Sequence, residues 1–400
     1  MATASSISDG RTTVERRALG VACGAHALHD GYTDLIYVLL PIWQAEFGLS
    51  YAEVGLLRGA FAGAMATFQI PAGWLSERIG AATMLAGGTA LSALAFLLAG
   101  TAAGFVTLVA LLLIGGLGSS AQHPIASAVV ARAFAGARSR IAIGNYNFAG
   151  DIGKMVFPAA TAFLVMVMNW RSALAMMAGI GVVAAVAIFL FTPRRDSRPA
   201  GEREKHGEKG RPVGAAQGGF GYLLGIGAID SATRMAFLTF LPFVLVAKGA
   251  SIAVVGVALA LVFAGGAAGK LVCAHLGVRY GVLATVLLTE ALTAVGIALL
   301  LQLPLWACLT LLPVVGIALN GTSSVLYGSV PELVAPERQA RAFGVFYTAT
   351  IGSGAIAPAI YGLFSDSFGV PATMLMIAAV VLATVPLALL LKPALPRSAA

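Results

Sequence analysis

Apolar runs of roughly twenty residues, punctuated by short polar or charged clusters, follow one another along the whole 400-residue chain. Segments 81–122, 172–192 and 371–391 contain no Asp, Glu, Lys or Arg. A run of about 20 apolar residues is the length needed to cross a bilayer as a helix. The pattern predicts twelve such helices, near 17–43, 51–76, 81–101, 104–132, 139–167, 171–192, 219–246, 252–275, 280–301, 304–331, 339–363 and 370–391. One polar stretch separates two sets of six. "RRDSRPAGEREKHGEKGRP" at 194–212 is charged and bears Gly and Pro, so it reads as a disordered linker. The chain divides accordingly into 1–193, a 194–217 linker and 218–400.

Composition agrees with the pattern. The chain is 59% hydrophobic and 10% charged, with a mean hydropathy of +0.90. A soluble domain carries about a quarter of its residues as charges. The fold class is therefore an all-α, multi-pass membrane protein. A net charge of +8 raises nucleic acid as a partner, but the distribution of the charge argues otherwise. With both termini cytoplasmic, nineteen of the 25 Lys and Arg fall on the cytoplasmic side, and Arg171 and Lys248 fall opposite. That is the asymmetry of an inserted membrane protein. The opening "MATASSISDG" lacks the apolar core of a cleaved signal peptide, and Cys23, Cys273 and Cys308 have no metal or disulfide spacing.

The two halves repeat at an offset of about 200 residues. Asp30 matches Asp230, Pro41 matches Pro242, and "GLSYAEVG" at 48–55 matches "GASIAVVG" at 249–256. "LSERIG" at 75–80 matches "LGVRYG" at 276–281, and Gly144 and Pro158 match Gly344 and Pro358. Parallel six-helix repeats belong to a transporter architecture with its substrate site between the halves, near the midplane.

"GWLSERIG" at 73–80 resembles the loop signature of the major facilitator superfamily, Gly-x-Leu-(Ala/Ser)-(Asp/Glu)-Arg-x-Gly. The resemblance implies two pseudo-symmetric six-helix bundles. "HALHD" at 26–30 and "GLGSSAQHP" at 116–124 resemble the fosmidomycin-resistance group, with its His-x-x-x-Asp and Gly-Ser-Ser-x-x-His-Pro motifs. There are departures. Ala81 and Ala82 follow the loop signature where basic residues are usual, and Val278 replaces the acid in the second copy. Phe157, Thr161 and Ala162 stand where drug–proton antiporters carry glycines around Gly144, Gly153 and Pro158. Lys154 and Arg58 are not part of the group's pattern.

An ionisable residue inside a membrane is a functional candidate by default. His26, Asp30 and Asp34 share one helix face at i, i+4, i+8, and His29 sits off that stripe. A proton relay and simple ion pairing are both open readings of the row, with metal binding third. On helix 7, Asp230 and Arg234 occupy the repeat positions of Asp30 and Asp34. Arg234 would face Asp34 or bind an anionic substrate, for which a guanidinium fork is suited. Lys154 would make a second anion contact or pair with Asp151. Arg58, Asp151, Asp230, Tyr37 and Asn147 complete the candidate substrate contacts. Glu77, Arg78, Arg338, Arg341 and His123 lie toward the cytoplasmic ends and are candidate gating groups. Lys270 lies deep in helix 8, and Glu290 on helix 9 has no evident role.

The expected function is secondary active transport of a small, anionic organic solute, proton-coupled, by alternating access. A proton-driven efflux pump for a phosphonate-like or other toxic compound is the alternative. A membrane-embedded enzyme or receptor is a third class; the chain shows no nucleophile–base constellation or nucleotide loop. The expected partners are the solute, protons and the lipid bilayer, without nucleic acid, cofactor or metal. The expected setting is a monomer in the inner (plasma) membrane.

Overall fold

The computed structural model describes residues 3–134, 137–193, 219–335 and 338–395. The linker at 194–217 lies outside the described residues. Twelve helical spans are found among those described. Helices α1 to α3 are Thr3–Phe47, Tyr51–Ile79 and Ala81–Ala99. Helix α4 comes in two pieces, Phe105–Ser119 and Gln122–Ala133. Helices α5 to α7 are Ala137–Val167, Trp170–Phe191 and Gly219–Ala247. Helices α8 (252–280) and α9 (282–302) meet at Gly281, whose φ of 83° is non-helical. Helix α10 is Leu305–Leu333. Helices α11 (339–368) and α12 (from 370) meet likewise at Gly369, and α12 ends as Thr384–Leu391.

The predicted helix count is met, with α1 starting well before residue 17. Eight of the continuous helical stretches are long and apolar enough to cross a membrane, two of them long enough to cross twice. The stretches Thr3–Phe47 and Tyr51–Ile79 are not among the eight. These two helices bury Asp30, Asp34 and Arg58 inside the bundle, so their polar positions face protein rather than lipid.

The repeat is visible in the backbone. The last glycine of each loop copy, Gly80 and Gly281, has φ near +85° (89° and 83°), a region costly for any side chain. Ser50 caps α2 by accepting from the Glu53 amide at 3.2 Å, and Glu53 closes the box on the Ser50 amide at 2.8 Å. Ser251 caps α8 with the first of these two bonds, accepting from the Val254 amide at 3.4 Å. The break in α4 has a local cause. Pro124 has no amide hydrogen and its ring clashes with the carbonyl four residues back, where Ser120 and Ala121 leave the helix.

Alternate helices run in opposite directions, so the bundle has a near end, bearing residue 3 and the loop at 80, and a far end, bearing the loop at 48–50. At the far end α2 and α11 touch backbone to backbone. A Cβ on Gly55 would lie 2.1 Å from the Pro358 carbonyl oxygen, and one on Gly59 2.5 Å from that of Ala355. Small residues permit this approach, which dispersion then stabilises. Asp366 at the end of α11 accepts the first two amides of α2, from Tyr51 at 2.6 Å and Ala52 at 3.0 Å. A carboxylate at a helix N-terminus is favourable. Toward the near end the helices part, and Gly63 and Gly73 on α2 have nothing within 4 Å of a built Cβ. The bundle is closed at the far end and splayed at the near end.

Arg171 and Lys248, which broke the charge asymmetry, are both engaged at the far end. Arg171 pairs with Glu46 at 2.5 Å and lies over Trp170. Lys248 donates to the carbonyls of Leu301 and Leu303 at 3.0 and 2.7 Å, completing a helix C-terminus.

Gly55→Leu should prevent this far-end closure. In a background with Cys23, Cys273 and Cys308 replaced by Ser, a cysteine in place of Leu238 reports access from the far side. Labelling by a membrane-impermeant thiol reagent added there is expected to rise several-fold in the Gly55→Leu protein. Unchanged labelling would show that the α2–α11 contact does not close that end.

Candidate functional site

Helices α1 and α5 are brought together by glycine. A Cβ on Gly153 would meet the Ala27 carbonyl oxygen at 1.9 Å, and one on Gly150 would meet Asp30 and His26 at 2.7 Å. With the helices this close, Lys154 reaches across to Asp30, Nζ to Oδ2, at 3.3 Å. Asp30 is only 7% exposed, and an isolated carboxylate there would be costly.

Three histidines surround the same carboxylate. His26 Nε2 lies 3.4 Å from Oδ2, while its Nδ1 is 2.8 Å from the Tyr146 carbonyl oxygen. That contact requires the proton on Nδ1, so Nε2 faces Asp30 either as a lone pair or, in the imidazolium, as a second donor. His123 Nε2 and His29 Nε2 lie 3.8 and 3.9 Å from Oδ1 and 3.2 Å from each other. His123 stands at the start of the second piece of α4, so the Pro124 break sets its position. It lies in this cluster with 40% of its side chain exposed, and it was expected as a gating group. His29, off the α1 stripe by spacing, joins the cluster because α4 comes to meet it.

The cluster also gathers possible metal ligands. One ligand atom from each of His26, Asp30 and His123 falls within 4.8 Å of the others. The Lys154 ammonium on the same carboxylate opposes a divalent cation there, whereas a proton suits the set.

Asp34 leaves the row and turns to Arg58, with Nη2 to Oδ1 at 3.8 Å. Arg58 is 1% exposed and lies 4.8 Å from the centre of the Tyr37 ring. The Tyr37 hydroxyl donates to Met235 Sδ at 3.3 Å. Neither Arg58 nor Tyr37 lines the cavity described next. Their expected contact with substrate is corrected to a place behind its wall, because Asp34 and Met235 hold them there. Asn147 is exposed one turn from Asp151 on the near-end side, outside the enclosed space.

That space is a cavity of about 230 Å³ between the two sets of six helices, lined by Asp34, Asp151, Lys154, Arg234, Lys270 and Asn320, with Ser323 beside them. Met235, Leu238 and Phe263 make its apolar side. Asp151 does not pair locally with Lys154. Lys270 crosses from α8 and holds both its oxygens at 2.7 Å. Arg234 pairs along its own helix with Asp230 at 3.8 Å, not with Asp34, and keeps 20% of its side chain exposed. Three cations therefore converge on one small cavity from α5, α7 and α8. Asn320 was missed in the sequence; Ser323 falls in the small-residue run GTSS at 321–324, for which close helix packing is the commoner use and hydrogen bonding to substrate the second. The gating candidates Glu77, Arg78, Arg338 and Arg341 are all exposed, and among the described residues none has an ion-pair partner.

The major facilitator superfamily matches this sequence in two successive segments, residues 22–226 and 223–400. The chain belongs to the major facilitator superfamily. The members that resemble it are membrane transporters, not enzymes. A probable sulfoacetate transporter of Cupriavidus necator is 24% identical over 216 residues, 52% of this chain and 50% of that one. The fosmidomycin resistance protein of Escherichia coli is 30% identical over 149 residues, 37% of this chain and 36% of that one. A probable L-galactonate transporter of the same organism is 28% identical over 153 residues, 38% and 34% of the two chains. The matched part spans half or less of the length of these relatives. In fold, the chain is similar to a bacterial homologue of the human lysosomal transporter Spinster in an inward-facing, occupied conformation. The TM-score is 0.77 at 18% identity, over 94% of this chain and 96% of that one. The nucleoside transporter NupG gives 0.75 at 13% identity, over 95% and 99%.

Arg58 is enclosed with one anionic partner, so breaking the pair should cost roughly 3–5 kcal/mol. Arg58→Met is expected to lower the detergent melting temperature sharply, and Asp34→Asn/Arg58→Met to recover most of the loss. A double variant no more stable than Arg58→Met would show that the pair is not what Arg58 contributes.

Proposed function

We propose that this chain is a proton-coupled secondary transporter of a small organic anion, working by alternating access in the inner (plasma) membrane with both termini cytoplasmic. The observation that carries the reading is the convergence of Lys154, Arg234 and Lys270 on one cavity between the halves. Each cation already leans on a carboxylate: Lys154 on Asp30, Arg234 on Asp230, Lys270 on Asp151. A solute carboxylate, sulfonate or phosphonate can take over part of that coordination without leaving a bare charge. At about 230 Å³ the cavity is smaller than the roughly 300–1,000 Å³ of drug-sized pockets. Sulfoacetate and galactonate, in the names of similar proteins, are anions of this size class.

Coupling is assigned to the Asp30 cluster, with His26 as its partner. When Lys154 is drawn to the solute, Asp30 loses its ammonium and holds a proton better, with the histidines as the relay toward α4. The halves 1–193 and 218–400 then rock about the loaded cavity, joined by the 194–217 linker. With the near end cytoplasmic, as the distribution of Lys and Arg supports, the splayed near end makes this the inward-open form. Glu77, Arg78, Arg338 and Arg341 would pair only when that end closes. Efflux of a phosphonate-like compound is the second reading, favoured by the HALHD and GSSAQHP motifs and the similarity to the fosmidomycin resistance protein. Counterflow of labelled small organic acids and phosphonates in proteoliposomes, with an imposed pH gradient, separates the two by the direction of proton flux.

Asp30→Asn is expected to abolish accumulation against a gradient while substrate exchange continues. Wild-type accumulation in that variant would remove Asp30 from coupling.

Arg234→Lys keeps the charge beside Asp230 but loses the planar fork. Loss of one charge-assisted hydrogen bond costs about 1.5–3 kcal/mol, roughly ten- to more than a hundredfold in affinity. Substrate affinity should fall by that factor with little change in melting temperature. Unchanged affinity with a lower melting temperature would make Arg234 structural.

A further inference from the structure

The repeat places Asp230 on α7 where Asp30 stands on α1, but its surroundings differ. In place of an ammonium and three imidazoles, Asp230 meets a second acid. The side chains of Asp230 and Glu290, from α9, are within hydrogen-bonding reach of each other. Both are buried, at 4% and 1% exposure. Glu290 also meets the Thr322 hydroxyl from α10, and its Oε1 has no partner among the described residues.

Two ionised carboxylates are acceptors only, so contact between them requires a proton. Charge counting gives the same result. Among the described residues Arg234 is the one cation paired there, 3.8 Å from Asp230, and it can offset one negative charge. Two negative charges in contact in a low dielectric repel strongly, and Glu290 has too few donors around it to hold an anion. One proton makes the set of Asp230, Glu290 and Arg234 neutral.

We infer that Asp230 and Glu290 form a second proton-binding site, holding one proton between their carboxyls under the control of Arg234.

The route out is built in. A pocket of about 10 Å³, room for about one water, is lined by Asp230, Ser231, Arg234, Ser323 and Tyr327. Arg234 and Ser323 also line the large cavity, so the pocket beside Asp230 and the cavity share a wall. The groups that face the pair are Arg234 on α7, the hydroxyls of Thr322 and Ser323 on α10, and Tyr327, the remaining titratable group. When a solute anion engages Arg234, the pair loses its counter-charge and takes up a second proton. When the solute leaves, Arg234 returns to Asp230 and that second proton passes through the pocket to the cavity, while the shared proton stays. Anion and proton therefore bind together. The control by solute rests on the transport reading; the shared proton does not.

Infrared spectroscopy of purified, full-length protein without substrate tests the shared proton directly. The absorption of a protonated carboxyl C=O at neutral pH should be present in wild type and in Asp30→Asn. It should disappear in Glu290→Gln, with proton uptake between alkaline and neutral pH lower by about one per chain. In Asp230→Asn Glu290 keeps the proton, and the absorption should shift in frequency because the carboxylate partner is gone. Should Glu290→Gln fail to fold, the shift in Asp230→Asn remains as a readout. An absorption kept in Glu290→Gln, unmoved in Asp230→Asn, or lost in Asp30→Asn overturns the inference. Failure of solute transport would leave these spectra unchanged, so the two ideas fail separately.

Discussion

A carboxylate in the middle of an apolar bundle must find a cation or a proton, and the contact between Asp30 and Lys154 is where this protein meets that demand first. It needs α5 to lie almost against the backbone of α1, which Gly150 and Gly153 allow. It needs α4 to break so that His123 can turn inward, which Pro124 imposes. Replace any of these and the buried charge loses its partners. The packing of the first six helices and the chemistry of their centre are therefore one problem with one solution.

The second half solves the same problem with other groups. Asp230 has hydroxyls, an arginine and a neighbouring acid where Asp30 has imidazoles and an ammonium. Its charge is balanced within its own half by Arg234, whereas Asp151 borrows Lys270 from across the interface at 2.7 Å. That bridge and the lysine, arginine and carboxylates around it lie at the level where the halves separate. The ionic contacts most exposed to an entering solute are those of Lys154, Arg234 and Lys270 with their carboxylates, not that of the buried Arg58. The cavity is thus walled by pairs that can exchange a partner, and Arg58, buried behind the lining residue Asp34, forms its support.

Closure at the far end has a different physical basis. It rests on glycine-to-carbonyl approach between α2 and α11 and on a carboxylate at a helix N-terminus, with few charges to desolvate. Such a contact is made or lost as a unit, because neither helix can tilt slightly without losing many close contacts at once. Among the described residues the near end has no comparable seam, and its charges at Glu77, Arg78, Arg338 and Arg341 are exposed.

The order of apolar runs and loops determined twelve spans and their alternating direction, since a backbone in lipid must be helical and each span must reverse the last. Residues at an offset of about 200, such as Gly80 and Gly281, carried the repeat, because only glycine adopts their backbone cheaply. The i, i+4 spacing of His26 and Asp30 was also legible, being local to one helix. What lay between helices was not. That Lys154 serves Asp30 and not Asp151, that Lys270 crosses the interface, and that Glu290 meets Asp230 all depend on helix rotation and depth. Those are set by packing glycine against carbonyl over the whole bundle, and no local spacing records them. Helix periodicity shows which side chains share a face, but only the assembled bundle decides which face meets which.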